Sequence, residues 1–194
     1  MWIKMCGMTT ALAVRTAVAT GVDAVGFVFA KSKRQVSANQ AVQLAADVPG
    51  HVARVAVMLH PTQIEVDEVL SVFQPDILQT DWQDLEELVL PQSLMVLPVM
   101  RAGHAVPAGL AKRFLFEGPK SGTGETADWL QAAQLATQGE LILAGGLSPE
   151  NVAEAIAAVR PFGVDVSSGI EAVPGLKSPE KMQAFVKAVR AVSA

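Results

Sequence analysis

Six polar side chains of this 194-residue sequence stand at or near the ends of apolar runs: Cys6, Arg34, Gln79, Asp81, Glu117 and Asp165. Cys6 is the only thiol. A free cysteine is either a small buried hydrophobe or, with a positive charge or amide dipoles beside it, a thiolate base or nucleophile. Glu117 closes an apolar run just before a glycine-rich loop. It is a solvated carboxylate there, or a proton donor if partial burial raises its pKa. Arg34 follows Lys31 and Lys33 in a basic loop; turned inward, its guanidinium can hold a carboxylate through two hydrogen bonds. Gly145 and Gly146, and then Ser167, Ser168 and Gly169, each follow an apolar run. Free amides at such turns attract anions, phosphate above all. His51, His60 and His104 have no metal-ligand spacing, and nothing matches a zinc or calcium set. No metal is expected.

These residues need elements to position them. Apolar runs predict strands at 2–5, 24–29, 52–59, 76–79, 95–100, 114–116, 141–144 and 164–166. Between them lie helical patterns with start and stop signals. Thr9 caps the first, Ser37 the second, Pro61 opens the third and Asp81 caps one running to Leu90. Thr126 opens another, Ser148 caps the helix after the seventh strand, and Ser178 begins the last. The stretch 102–112 is the weakest helix, with two glycines and a proline. Eight strand–helix units predict a single (β/α)8 TIM barrel over residues 1–194, whose reactive groups project from the C-terminal strand ends and whose phosphate loops follow strands seven and eight. The runner-up, a doubly wound open sheet, normally carries its phosphate loop after the first strand.

Composition narrows the function. Apolar residues are 51% and charged residues 18%, suiting a parallel sheet covered on both faces. A net charge of −4 argues against nucleic acid. One cysteine excludes an intrachain disulfide and suits a reducing compartment. No run reaches membrane-spanning length and the N-terminus lacks a signal-peptide core. A cytoplasmic domain is expected, without membrane partner, as a monomer or homodimer.

Five segments carry a family resemblance: IKMCGMT at 3–9, SKRQVS at 32–37, SGTGETADW at 121–129, LAGGLSPENV at 143–152 and VDVSSGIE at 164–171. On them the chain resembles the phosphoribosylanthranilate isomerases of tryptophan biosynthesis. The resemblance implies an Amadori rearrangement of a phosphoribosyl substrate, with no cofactor. It makes Cys6 the general base, puts the general acid at Glu117, and has Arg34 bind the anthranilate carboxylate. It places Gln79 and Asp165 near the substrate. Gly122, Thr123 and Gly124 then join Gly145, Gly146, Ser167, Ser168 and Gly169 in holding phosphate.

Two positions depart from the family pattern. The acid is usually aspartate, so Glu117 brings an extra methylene that must fold back or be absorbed by the backbone. A histidine commonly follows the fourth strand, where this chain has Asp81. Two rivals stand beside this reading. One is a related sugar-phosphate isomerase of histidine biosynthesis, which would want aspartates on strands one and five. The other is a barrel that binds phosphoribosyl ligands without turning them over.

Overall fold

The computed structural model describes residues 1–104, 109, 111–118 and 128–192. Eight parallel strands close into a barrel in sequence order. They are β1 (Trp2–Cys6), β2 (Ala24–Val28), β3 (Ala53–Val57), β4 (Ile77–Asp81), β5 (Met95–Arg101), β6 (Arg113–Glu117), β7 (Glu140–Leu143) and β8 (Gly163–Val166). The ring shuts where β1 pairs with β8, Lys4 opposite Asp165. Every expected strand is present, so the open sheet is excluded.

The period of two along each strand divides the core in two. Ile3, Met5, Phe27, Leu78, Phe114, Leu141 and Val164 point outward and pack under the helices. Ala24, Val55, Ile77, Leu97, Val99, Leu115 and Ile142 point inward and fill the barrel. With both faces covered, the strands read as nearly unbroken apolar runs. The same alternation sends Lys4 and Cys6 of β1, Gln79 and Asp81 of β4, Arg101 of β5, Glu117 of β6 and Asp165 of β8 inward or to the barrel's mouth.

The helices among the described residues are α1 (Ala11–Thr20), α2 (Ala38–Ala45), α3 (Gln63–Val72), α4 (Trp129–Ala136), α5 (Val152–Val159) and α6 (Pro179–Val192). Ser37 and Thr62 each form a reciprocal capping box, with Gln40 and Glu65. The first helix is capped by Thr10 rather than Thr9. Asp128 caps α4, accepting from the amides of Leu130 and Gln131; Thr126 lies outside the described residues.

Three expected helices differ. Asp81 does not cap a helix to Leu90: it completes β4 and its carboxylate is taken by Arg101, so only a 3₁₀ turn, Trp82–Glu86, follows. Described residues between 102 and 112 are not helical, and the rest of that stretch lies outside the description. After β7, helix α5 begins at Val152, later than Ser148 would dictate. Asn151 is occupied with the loop instead, its amide donating to the Gly146 carbonyl and its Oδ1 accepting from the Ser148 amide, both at 2.8 Å. After β8 a short hairpin, β9 (Glu171–Val173) and β10 (Leu176–Lys177), returns over the barrel mouth before α6. No described helix is long and apolar enough to cross a membrane.

Candidate active site

Cys6 is the last residue of β1 and only 7% exposed. Two residues earlier on the same face, Lys4 is completely buried and donates to Asp165 Oδ1 at 2.9 Å. Burial alone would push the Lys4 ammonium down, but the charges of Asp165 and Cys6 outweigh it and leave it raised. Burial pushes the Cys6 thiol up; Lys4 and Lys177 pull against that, while Asp165 adds to it. The floor of the site is therefore a cation, a carboxylate and a thiol on adjoining strands.

Arg34 does turn inward. A β-carbon placed on Gly7 would lie 2.6 Å from Arg34 Cδ, so the arginine can cross the chain beside Cys6 only because residue 7 has no side chain. Its Nε and Nη2 donate to Glu171 Oε1 and Oε2 at 2.7 and 3.0 Å. The side-on Nε/Nη2 fork is thus taken by Glu171, which leaves a substrate carboxylate the hydrogens of Nη1 and the second hydrogen of Nη2. Lys177, from β10, donates to the same carboxylate at 2.9 Å and to the Ser167 carbonyl at 2.9 Å. Burial would raise the Glu171 carboxyl, but Arg34 and Lys177 hold it at about 2. Burial pulls the Lys177 ammonium down.

Across the mouth, Arg101 ties three strand ends together. Its Nε and Nη2 donate to Asp81 at 2.9 and 2.6 Å, and its Nη1 to Glu117 at 2.5 Å. Gln79, 6% exposed, keeps its side-chain oxygen inside with no hydrogen-bond partner, a costly state for a buried amide unless a ligand meets it. His60 is exposed, but Asp84 orients its Nδ1 at 2.8 Å. Its Nε2 lies 3.9 Å from Asp81, so an imidazole from the β3–α3 loop reaches the corner where the fourth strand carries none.

The loops after β7 and β8 pack on one another. A β-carbon on Gly169 would fall 2.0 Å from the Leu147 carbonyl oxygen, so only glycine fits. Gly145 and Gly146 take φ of 87° and 65°, the left-handed region that glycine enters without strain. Their amides and those of residues 167–169 belong to two adjoining turns at the C-terminal face. Gly122, Thr123 and Gly124 lie outside the described residues. Among the described residues no group of three acidic, histidine or cysteine side chains could hold a metal ion.

Sequence reasoning reached Cys6, Arg34, Gln79, Glu117 and Asp165 but missed Lys4, Glu171 and Lys177 and gave Arg101 no role. Lys4 was within reach, since Ile-Lys-Met-Cys alternates and places Lys4 on the face of Cys6. The Arg34–Glu171 pair spans 137 positions, and no local signal marks it.

Comparison with known proteins extends this picture over the whole chain. The profile of the family described as N-(5′-phosphoribosyl)anthranilate (PRA) isomerase matches residues 3–188. An N-(5′-phosphoribosyl)anthranilate isomerase from Streptococcus pneumoniae is 39% identical over 191 residues, 97% of this chain and 95% of the relative. The crystal structure of TrpF from Jonesia denitrificans superposes with a TM-score of 0.84 at 34% identity, covering 100% of this chain and 98% of that one. A phosphoribosyl anthranilate isomerase in complex with reduced 1-(o-carboxyphenylamino)-1-deoxyribulose 5-phosphate gives 0.77 at 29% identity, with 98% of both chains covered.

Proposed function

The chain belongs to the N-(5′-phosphoribosyl)anthranilate isomerase family, and from that premise we propose that Cys6 and Glu117 are the base and acid of its reaction. The reaction is the Amadori rearrangement of N-(5′-phosphoribosyl)anthranilate to 1-(2-carboxyphenylamino)-1-deoxyribulose 5-phosphate, an aldose-to-ketose isomerisation in tryptophan biosynthesis. Glu117 protonates the ribose ring oxygen and opens the sugar to a Schiff base. The Cys6 thiolate removes the proton from C2′, and the enolamine formed tautomerises to the aminoketone. One cavity thus hosts an acid and a base whose surroundings must differ.

The remaining assignments are part of the same proposal. Arg34 meets the anthranilate carboxylate end-on, through Nη1 and the second hydrogen of Nη2, its Nε/Nη2 edge being fixed by Glu171. Asp165 and the unpartnered Gln79 oxygen face the substrate's amine and hydroxyls. The turns at Gly145–Gly146 and at residues 167–169, with Gly122, Thr123 and Gly124, hold the phosphate. A cytoplasmic setting keeps the single thiol reduced. A solved relative from Thermotoga maritima is described as dimeric, and a monomer or homodimer is what we propose here.

The observation that best supports the acid–base pair is the placement of Cys6 and Glu117 at the C-terminal ends of β1 and β6 in one closed barrel. The rival with aspartates on strands one and five finds Cys6 and Arg101 at those tips. The test is the decay of substrate fluorescence on adding protein, repeated with Cys6→Ala and Glu117→Gln. Turnover lost in both supports the assignment. Substrate binding without decay in the unaltered chain would favour the inert barrel.

A further inference from the structure

The catalytic proposal gives the fully buried Lys4 no task. Lys4 is among the largest fully enclosed side chains of the protein, lying inside the barrel where neighbouring strands supply alanine, valine, isoleucine and leucine. An ammonium in such a place is costly, and a single carboxylate 2.9 Å away leaves most of its hydrogen-bonding capacity over. A structural need alone would be met more cheaply by an apolar residue. What adjoins Lys4 is Cys6. Opposite both, on β2, Gly26 offers no side chain: a β-carbon there would lie 3.0 Å from Cys6 Sγ and 3.1 Å from Lys4 Cε. Thiol and lysine stem therefore flank one gap, which glycine keeps open.

We propose that Lys4 is a positioning residue for the reaction's base: anchored on Asp165, its ammonium supplies the positive charge that allows Cys6 to ionise inside the barrel. This rests on Cys6 being the base. Charged groups reach Cys6 from each side that carries one: Lys4 on its own strand, Asp165 from β8, Lys177 from β10 and Arg34 from the β2–α2 loop, while β2 presents Gly26. Asp165 does two things at once. It fixes the ammonium, and it competes with the thiolate for that ammonium's charge. Directions agree with this arrangement: Lys4 draws the thiol down against the dominant effect of burial, and Asp165 adds to burial in pushing it up.

The competition yields a test that a merely structural lysine would fail. The chain has one cysteine and no tyrosine, so the pH titration of absorbance near 240 nm reports the Cys6 thiolate without phenolate interference. Lys4→Met is expected to move the midpoint up by a pH unit or more, and Lys4→Arg to restore most of it. Asp165→Asn is expected to move it down. Shifts of opposite sign support the proposal, because loosening the barrel floor would move both variants the same way. An unchanged midpoint in Lys4→Met, or same-sign shifts, overturns it. If Lys4→Met does not fold, as judged by near-UV circular dichroism, the Asp165→Asn arm decides alone, and no downward shift there overturns the proposal. Cys6→Ala serves as the blank. Its turnover separately judges Cys6 as base, so the two failures are distinguishable.

Discussion

Arg101 Nη1 donates to Glu117 Oε1 at 2.5 Å while the other edge of the same guanidinium grips Asp81. The carboxylate at position 117 is thus tied to the tip of β5. Arg101 itself is held rigidly, since a two-bond fork to a carboxylate fixes orientation as well as distance. Replacing it with methionine brings two carboxylates together with no cation between them. Arg101→Met is expected to lower kcat/KM by about 10- to 100-fold, as small misplacements of a catalytic group do, and to reduce Tm by several degrees. Arg101→Lys keeps the charge but not the fork, so it should recover stability better than turnover. Steady-state kinetics and thermal melts on the two variants check this.

Glu117→Gln removes the proton and leaves the shape. General acid catalysis contributes about 10²- to 10⁴-fold, so kcat should fall by that range with KM little changed. Near-full activity would move the acid elsewhere, with Asp81 next in line. Glu117→Asp restores the residue usual in the family but shortens the reach to Arg101, and a loss of about tenfold is expected. That loss should shrink against an Arg101→Met background, where the Arg101 contact is already gone. A double-mutant cycle in kcat/KM measures it.

The strands were legible because both their faces are covered: runs such as Ala24–Val28 and Glu140–Leu143 are mostly apolar whichever way each residue points. Helix starts were legible where a cap acts locally, as at Ser37 with Gln40. They were not where the capping group has a distant partner. Asp81 reads as a cap, but Arg101, twenty positions on, claims it. The site followed the same rule. Cys6, Glu117 and Asp165 lie on strands whose ends can be counted. Glu171 and Lys177 sit on a hairpin folded back over the mouth, and the contact of Glu171 with Arg34 exists only once the barrel has closed.

Gly26→Ala tests how tightly Cys6 and Lys4 are packed. The added carbon would lie 3.0 Å from Sγ, 3.1 Å from Lys4 Cε and 3.3 Å from the Cys6 Cα. The lysine stem can bend, but the β1 backbone is paired on both sides and cannot. Overpacking of this kind costs about 1–3 kcal/mol. A lower midpoint in urea, with kcat reduced more than substrate affinity, is the expected result. A fully active, equally stable variant would show that the gap has slack.

Glu171 gives the fold a pH dependence of its own. Its carboxyl is held at about 2 by Arg34 and Lys177, against 4.5 when unconstrained. A carboxylate with a depressed pKa binds its proton more readily in the unfolded chain, so its contribution to stability is complete above about pH 4.5. That contribution is lost as pH falls from about 4.5 towards 2, where the folded form takes up the proton too. Glu171→Gln cannot titrate. Its urea midpoint should lie below that of the unaltered chain at neutral pH, and the gap should narrow steadily through this acid window. The variant also leaves Arg34 without its fork partner, so the arginine can swing, and KM for the substrate should rise even where the fold is intact. A gap that stays constant from pH 6 to 3 would mean that Glu171 holds Arg34 by shape rather than by charge.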